Sequence, residues 1–338
     1  MTTPITERHV LVTGGAGFIG SHLVDALLSR PATRVTVLDR LSTGGSRMNL
    51  AHHDDDPRFA FVLADVNDDD VVSREVGNAD MVVHAAAESH VDRSIDDPRP
   101  FLESNLMGTQ TVLEAVRRHA RRLLMVSTDE VYGPGDATGG RFDEDHALAP
   151  RSPYAASKAA ADLLCRAYVA TFDLDITVVR GTNAYGPRQI ERVVPTFTMC
   201  ALEGAPVPVY GEGRQRREFL FVDDWVRAAI VALELGERGV VYNIGDGHEL
   251  ANLELAERIC DLAGADRSLI TFVPDRPGHD FRYGVAAGRL NGLGWRPEVS
   301  FEDGLAATVS WYRDHREWLG AAHGTNVVTE PKPAGASG

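Results

Sequence analysis

Two pairs of side chains in this sequence could do chemistry together. Asp129 and Glu130 are adjacent acids that follow an apolar run typical of a buried strand. Two carboxyl groups whose surroundings separate their pKa values can supply one acid and one base. Tyr154 and Lys158 are one helical turn apart in the segment YAASK, so a helix places them on one face. A nearby ammonium lowers the pKa of a tyrosine, which would make Tyr154 a base for a hydroxyl proton.

Each pair also has an ordinary explanation, because adjacent acids often form a solvated turn and Tyr/Lys pairs often lie on a surface. Lysine usage favours the chemical interpretation. The chain has only Lys158 and Lys332, and the second lies in a tail rich in Pro, Gly and Ala. Arginine fills the basic positions elsewhere, so an ammonium at residue 158 indicates a role that a guanidinium does not fill. Chance retention on a helix surface is the alternative.

A glycine-rich turn follows the first apolar run of the chain. Gly14, Gly17 and Gly20 recur at every third position between that strand and a helix. Glycine permits a tight turn and close backbone approach, and the helix N-terminus offers free N–H groups to a pyrophosphate. Asp39 ends the second apolar run, where a carboxylate accepts from ribose hydroxyls and repels a 2′-phosphate. The sequence therefore predicts NAD rather than NADP, although Arg40 could host that phosphate.

Short β-branched runs alternate with amphipathic stretches through the first half of the chain, which predicts βαβ units. We expect an α/β fold with a doubly wound parallel (Rossmann) sheet in residues 1–186, to which some later segments return. Asp129 and Glu130 would lie at the carboxyl edge of that sheet and, on extended backbone, point to opposite sides. Irregular Gly/Pro clusters after residue 187 predict a smaller, mixed α/β lobe that binds substrate, over residues 187–320. Residues 321–338 read as a disordered tail.

Composition narrows the class of partner. The 338 residues are 43% hydrophobic, enough for one large core or two fused domains. A net charge of -15 with dispersed arginines excludes a nucleic-acid surface and favours a small molecule met by local donors. Three separated cysteines show no metal-ligand spacing, so we predict buried thiols and no metal site. The start of the chain shows no signal segment and no apolar run is long enough to span a bilayer, which predicts a cytoplasmic protein.

The motifs together resemble those of the dTDP-glucose 4,6-dehydratases, which are extended short-chain dehydrogenase/reductases. The resemblance runs from GGAGFIGS through AAESHVDRS, STDEVYG, SPYAASK, NAYGP and DRPGHD to the final helix, nearly the full length. It implies an NAD-dependent lyase that converts an NDP-glucose into its 4-keto-6-deoxy derivative. The C4 hydroxyl is oxidised, water is eliminated across C5 and C6, and hydride returns to C6.

The resemblance also assigns the site residues by position. It implies Thr128 as the hydroxyl binder, Asp129 as the acid at C6, Glu130 as the base at C5, Tyr154 as the oxidation base and Lys158 as its electrostatic partner. The cofactor residues are Gly14, Gly17, Phe18, Ile19, Gly20, Asp39, Arg40, Leu41, Ser42, Asp65, Val66, Ala85, Ala86, Ala87, Ser104, Ser127, Tyr154 and Lys158. The substrate residues are Glu88, Ser89, Asn183, Arg192, Val193, Pro208, Val209, Tyr210, Arg217, Asn252, Arg276 and His279. For Asp65, a helix or turn cap is the competing interpretation.

This sequence departs from the family pattern at a few positions. The family commonly has two asparagines before YGP, whereas Asn183 is followed by Ala184, and the next loop is shorter and has Arg192 where a lysine is usual. Trp225 stands where a histidine is common. These departures put the nucleotide base and the sugar in doubt more than the reaction type.

Two other functions stay open at this point. A nucleotide-sugar 4-epimerase or decarboxylase of the same superfamily would also begin with oxidation at C4, although such enzymes usually lack the Asp-Glu pair. A non-catalytic NAD-binding protein would keep the fold without turnover. The resemblance further implies a homodimer joined by helices near residues 101–119 and 154–170, and the alternative is that these helices merely cover the sheet.

Overall fold

The structure is a computed structural model, and it describes residues 8–42, 44–135, 140–275, 280–316 and 318. The predicted tail, residues 321–338, lies outside the described residues. The first six strands form from the β-branched runs in the first half of the chain, and the described residues form twelve strands in all. They are β1 (Arg8–Thr13), β2 (Thr33–Asp39), β3 (Phe59–Leu63), β4 (Met81–His84), β5 (Arg122–Thr128), β6 (Ile176–Gly181), β7 (Asn183–Tyr185), β8 (Val207–Tyr210), β9 (Arg216–Phe221), β10 (Val241–Ile244), β11 (Glu249–Ala251) and β12 (Ile270–Val273).

The helices connect these strands and cover the sheet. They are α1 (Phe18–Leu28), α2 (Asp69–Asn78), α3 (Val91–Asp96), α4 (Arg99–Phe101), α5 (Gly108–His119), α6 (Pro153–Phe172), α7 (Val193–Glu203), α8 (Val222–Leu235), α9 (Asn252–Ala263), α10 (Gly288–Gly292) and α11 (Phe301–Asp314). A π-helical turn, Leu102–Met107, joins α4 to α5. Short 3₁₀ helices span Arg47–His53, Asp129–Tyr132 and Arg267–Leu269.

The main sheet has seven parallel strands in the order β10-β6-β5-β4-β1-β2-β3. The order reverses beside β1, which is the point where doubly wound folds bind their ligands. This topology confirms the predicted fold class. The β10 strand comes from the second half of the chain and pairs with β6, so a later segment does return to the first sheet.

Two hydrophobic layers hold the main sheet. On one face, α1 and α8 pack around buried residues such as Leu23, Val37 and Ile230. On the other face, α2, α5 and α6 pack around Val82, Leu113 and Cys165. Both faces of the sheet are therefore covered, as an all-parallel sheet requires.

A smaller lobe has its own core and its own sheets. The first sheet has the order β11-β9-β7 and the second has the order β12-β8. The helices α7, α9 and α11 bury Phe197, Leu255 and Leu305 against these strands. The domain boundary between residues 186 and 187 stays a prediction. Two later elements, α8 and β10, come after this boundary in the chain but belong to the main sheet and its covering helices. Within the described residues, no helix combines the length and apolar character needed to cross a bilayer.

Candidate active site

A cavity of about 1490 Å³ runs along the carboxyl edge of the main sheet and continues into the smaller lobe. Most of the predicted site residues lie on its wall. These are Gly14, Gly17, Phe18, Ile19, Gly20, Asp39, Arg40, Ser42, Val66, Ala85, Ala86, Ala87, Ser89, Ser104, Ser127, Thr128, Glu130, Tyr154, Lys158, Asn183, Arg192, Val193, Pro208, Tyr210, Arg217 and Asn252. The fold thus gathers residues from both halves of the chain around one space.

The glycine turn after β1 is built for close approach. Gly14 has a φ of 70°, and a Cβ added there would lie 2.6 Å from the backbone of Ala86. A Cβ on Gly20 would collide with the backbone of Gly14 and Gly15. Because α1 begins at Phe18 without a side-chain cap, its first N–H groups face the cavity and can meet a pyrophosphate.

Asp39 and Arg40 occupy the adenosine end of this arrangement. The carboxylate of Asp39 accepts from the backbone N–H groups of Ala16, at 2.9 Å, and Leu41, at 2.8 Å. Burial raises the pKa of Asp39, although those backbone hydrogen bonds oppose the shift. Arg40 donates to Asp65 at 2.8 Å and to Glu88 at 2.7 Å. The arginine that could have hosted a 2′-phosphate is therefore already neutralised by two carboxylates, which favours NAD over NADP.

Five predicted residues are not on the described cavity wall: Leu41, Asp65, Glu88, Asp129 and Val209. Asp65 instead holds Arg40 and accepts from the backbone N–H of Asn67 at 2.9 Å, as the turn-cap interpretation predicts. Glu88 accepts a hydrogen bond from Arg40, and its place near the sugar stays a prediction. Val209 is fully buried in the lobe core, because side chains alternate along β8 and only Pro208 and Tyr210 reach the cavity. Leu41 lies in a left-handed turn with a φ of 56°.

The acid pair lies at the end of β5, but not on extended backbone as the sequence predicted. The strand ends at Thr128, and Asp129 and Glu130 form the first turn of a 3₁₀ helix capped by the Thr128 hydroxyl. Asp129 is buried, with only 2% of its surface exposed, whereas Glu130 reaches the cavity wall. Because successive residues of a helical turn point in different directions, one acid is buried and the other lines the cavity. Different acid and base roles require such a difference in environment.

The surroundings of Asp129 favour its protonated form. Burial raises the pKa of Asp129 well above its usual range, and the negative charges of Glu130 and Glu218 raise it further. Thr128 contacts one carboxyl oxygen at 3.3 Å, and the other, Oδ2, has no hydrogen-bond partner among the described residues. A buried carboxyl group with one unpartnered oxygen can act as a proton donor.

The side chain of Tyr154 adjoins Thr128 and faces the cavity from α6. The sequence predicted that Lys158 lowers the pKa of this tyrosine. In the protein alone, burial raises the pKa of Tyr154, and the nearby charge of Glu130 adds to the rise. The expected direction is therefore wrong for the chain without ligand, because spacing along a helix does not show burial.

Lys158 lies one turn further along α6, on the same face as predicted, with 3% of its surface exposed. Its ammonium donates to the carbonyl of Val126 at 2.6 Å. Burial lowers the pKa of Lys158 to about 8, while the carboxylate of Asp162 opposes the shift. The ammonium is thus charged at neutral pH and fixed beside the strand end that carries Thr128.

The lobe side of the cavity presents polar groups in fixed positions. Arg217 lies with its guanidinium 4.7 Å from the ring of Tyr283, and it donates to the carbonyl of Asp280 at 2.9 Å. Asn252 begins α9, and its Oδ1 has no hydrogen-bond partner in the described part of the chain. Arg276 and His279 lie outside the described residues.

One loop, residues 187–192, connects the two sides. Arg192 donates to the hydroxyl of Ser89 at 3.0 Å. Arg188 donates to the carbonyl of Asn49 at 3.0 Å and to Asp25 at 2.5 Å. His52 and His53 also contact Asp25, at 2.8 and 2.7 Å, so these groups could hold a metal ion, which no spacing in the sequence indicated. The two histidines pair with one carboxyl oxygen of Asp25, and Arg188 pairs with the other. The cluster therefore anchors the loop.

The residues present fit a dinucleotide. Several buried polar atoms on the cavity wall have no hydrogen-bond partner among the described residues, and a bound molecule would supply partners for them. They are Ser127 Oγ, Thr182 Oγ1, Gln189 Oε1, Trp225 Nε1, Asn252 Oδ1 and His90 Nδ1. Together with the glycine turn and Asp39, they line one cavity.

The sequence model of the NAD dependent epimerase/dehydratase family matches residues 10–245 of this chain. The chain belongs to this family. A dTDP-glucose 4,6-dehydratase from an Actinoplanes species is 50% identical over 318 residues, which cover 91% of this chain and 99% of that protein. These figures place the similarity across nearly the whole of both proteins.

Solved structures from the family share the fold. The dTDP-glucose 4,6-dehydratase DesIV of Streptomyces venezuelae, solved with NAD bound, is 48% identical and superposes with a TM-score of 0.89, covering 92% of this chain and 98% of that one. A UDP-glucose 4-epimerase of Thermus thermophilus, also in complex with NAD, is 34% identical with a TM-score of 0.83, covering 91% and 99%. Proteins with this fold therefore catalyse more than one reaction, and the residues of the active site distinguish one reaction from another.

Some residues on the wall of the active-site cavity were given no site role from the sequence. They are Thr182, Trp225 and Tyr283, and each comes from a different element or loop. Thr182 directly follows β6 and precedes the NAYGP segment, so its position at the strand end was an available signal. Trp225 and Tyr283 reach the cavity through the packing of α8 and the lobe, which no local motif marks. Trp225 was noted as a departure from the family pattern, and that was the one available signal for it.

Proposed function

We propose that this protein is an NDP-glucose 4,6-dehydratase, with dTDP-glucose as its substrate and NAD as its resident cofactor. The observation that carries the proposal is the acid pair at the end of β5. Asp129 is buried with a raised pKa, Glu130 faces the cavity, and both adjoin Thr128 and Tyr154. An epimerase needs no such pair, since it only removes and returns hydrogen at C4.

The first task of the site is oxidation at C4 of the glucose. When bound, NAD supplies the hydride acceptor and, through its positively charged ring, a field that favours phenolate at Tyr154. Thr128 holds the 4-hydroxyl group, and Tyr154 accepts its proton. The ammonium of Lys158 adds a second positive charge behind the strand end.

The second task is loss of water, for which the C4 ketone makes the C5 proton acidic. Glu130 takes that proton, the C6–O bond breaks, and Asp129 gives its proton to the departing hydroxyl group. Hydride then enters at C6 and a proton at C5, so the net change is the loss of one water molecule. The raised pKa of Asp129 suits this role, because the carboxyl group must carry a proton before the bond breaks.

The nucleotide end of the substrate occupies the lobe side of the cavity in this proposal. Pro208, Tyr210 and Asn252 form its wall, and Arg217 brings a guanidinium that can meet two phosphate oxygens. The net charge of -15 repels an anionic ligand overall, so such local donors have to hold it. Arg276 and His279 stay predicted partners of the same ligand.

We also propose that the protein is a homodimer. Exposed small and apolar residues recur on α6 with heptad-like spacing, at Ala156, Leu163, Ala167 and Ala170. The exposed side chains of Leu102 and Met107 come from the adjoining π-helical turn. Such a surface suits close packing against a second copy of the same helices. The cytoplasm stays the predicted location, in keeping with three free and buried cysteines.

The reaction is tested by incubating the protein with dTDP-glucose and, separately, UDP-glucose. We expect a product lighter by one water molecule, with the base-labile absorbance of a 4-keto-6-deoxy sugar and without accumulation of NADH. An epimerase would leave the mass unchanged, and a decarboxylase would need a uronic acid and release carbon dioxide. Either result, or steady NADH formation, contradicts the proposal.

Two variants separate the two tasks. Glu130→Gln should block elimination while still allowing a single turnover of C4 oxidation, seen as a burst of enzyme-bound NADH. Tyr154→Phe should abolish that burst as well, because no base takes the hydroxyl proton. We expect turnover to fall by about 10²–10⁴-fold in each case. Full turnover by Glu130→Gln would remove the role that we assign to this residue.

A further inference from the structure

The indole N–H of Trp225 is a buried donor without an acceptor. Trp225 lies in the first turns of α8 with 1% of its surface exposed, and its Nε1 has no hydrogen-bond partner among the described residues. The same side chain lies on the wall of the active-site cavity. Leaving such a donor unpaired costs folding free energy, so an acceptor from a bound molecule would remove a penalty.

The ring of Trp225 marks a defined place along the sheet edge. Its indole edge packs on Gly181, the last residue of β6, where an added Cβ would come within 2.3 Å of Nε1 and 2.6 Å of two ring carbons. Gly181 pairs in register with Thr128 on β5. Since Thr128 adjoins Tyr154 and both lie on the cavity wall, Trp225 lies near the reactive end of the cavity.

The topology sets which end of a dinucleotide reaches that place. Asp39 ends β2, and the glycine turn follows β1. In the strand order β6-β5-β4-β1-β2, a cofactor with its adenosine at β2 has to cross β1 and β4 to bring its redox ring to Tyr154. The nicotinamide end therefore comes to rest at the ends of β5 and β6, beside Gly181.

The chemistry of the unpaired groups matches a primary amide. An indole N–H donates only, and an amide oxygen accepts. The hydroxyl of Thr182, the residue after Gly181, is also buried and has no partner in the described part of the chain, and it can accept from an amide NH₂. The nicotinamide ring carries one such amide.

We infer that the indole N–H of Trp225 donates a hydrogen bond to the nicotinamide amide of NAD and so fixes the rotation of that ring against Tyr154. This inference rests on the proposed function, which supplies the cofactor. Trp225 belongs to the buried cluster that includes Ala184 and Val179, so its ring is held in place by packing. Trp225 acts as a positioning residue, and it takes no part in proton transfer.

The test compares two ligands that differ only at the nicotinamide end. Trp225→Phe keeps an aromatic ring, although a smaller one, and removes the N–H group. In calorimetric titrations of the full chain freed of co-purified nucleotide, this variant should bind NAD about tenfold more weakly than the unchanged protein. It should bind ADP-ribose, which lacks nicotinamide, with unchanged affinity. Retained ADP-ribose binding also shows that the variant is folded.

Trp295→Phe is the matched control. Trp295 is equally buried, but its N–H already donates to the carbonyl of Asp224 at 3.2 Å, away from the cavity wall in the described structure. This variant should bind both ligands like the unchanged protein. If Trp225→Phe binds NAD normally, or loses NAD and ADP-ribose equally, the inference is overturned and the dehydratase proposal stands. If the unchanged protein binds neither NAD nor ADP-ribose, the proposed function itself fails.

Discussion

Lys158 shows how a reactive side chain is kept at a cost in stability. Its ammonium is buried behind the strand end, and burial lowers its pKa from 10.5 to about 8. The unfolded chain therefore holds more protons than the folded chain between these two pH values. The free energy of unfolding contributed by this group rises across that window, so its destabilising effect is greatest below pH 8. A shift of this size corresponds to a penalty of about 3 kcal/mol.

Replacement of Lys158 by methionine should accordingly stabilise the protein while inactivating it. At pH 7 we expect the free energy of unfolding to rise by about 1–3 kcal/mol, because the lost hydrogen bond to Val126 offsets part of the gain. Turnover should fall by about 10²–10⁴-fold. Urea denaturation at pH 7 and pH 9.5 measures the first effect, and the gain should shrink at the higher pH. A variant that is less stable at pH 7 would contradict the assignment.

At the level of residues, the sequence predicted correctly which side chains share a helix face, because the helical period fixes that geometry. The four-residue spacing of Tyr154 and Lys158 correctly implied one shared face on α6. It could not show that both side chains are buried, which reverses the expected pKa shift of Tyr154. For Asp129 and Glu130, the sequence indicated a strand end but not the 3₁₀ turn, because the capping hydroxyl of Thr128 leaves no distinct pattern.

The loop of residues 187–192 illustrates the role of an element that does no chemistry itself. Arg188 adopts a left-handed backbone with a φ of 67° and ties the loop to α1 through Asp25. Burial alone would raise the pKa of Asp25, but Arg188 and the two histidines lower it. The same loop carries Gln189 and Arg192 to the cavity wall. Its anchor should therefore act on substrate binding more than on the reaction.

Arg188→Ala should raise KM for the nucleotide-sugar by roughly tenfold and change kcat by less than about twofold. The side chain that is lost only holds the loop, so its loss weakens ground-state and transition-state binding equally. Arg58→Ala serves as the control, because Arg58 pairs with Asp56 in the same region without reaching the loop. Steady-state kinetics check both variants, and an unchanged KM for Arg188→Ala would show that the anchor is dispensable.

At the scale of elements, six strands of the main sheet, β1 to β6, followed from their β-branched runs, and α1, α8 and α9 followed from amphipathic stretches. The π-helical turn Leu102–Met107 did not, since one extra residue in a helical turn leaves the hydrophobic pattern almost unchanged. The pairing of β10 with β6 also has no local signal. Only the exposed edge of β6 and the hydrophobic face of α8 make that pairing favourable, and both depend on the assembled sheet.

At the scale of the whole molecule, the catalytic residues and the proposed dimer surface share one helix. Tyr154 and Lys158 face the cavity from α6, whereas Ala156, Leu163 and Ala170 lie on the opposite side of the same helix. A partner packed on that side would hold α6 against the sheet. The position of the catalytic pair therefore depends on the oligomer in this proposal, and weakening the dimer should reach the active site.

Leu163→Glu tests this link directly. Leu163 is 54% exposed in the single chain, and a carboxylate there would lose its hydration on dimerisation without gaining a partner. We expect sedimentation velocity to show one chain instead of two at micromolar concentration, with a lower melting temperature and reduced turnover. Leu235→Glu is the matched control, since Leu235 is 47% exposed at the end of α8 and should leave the dimer intact. If Leu163→Glu still sediments as two chains, or if the unchanged protein is a monomer, the α6 surface does not join two copies and the catalytic pair is held by its own chain alone.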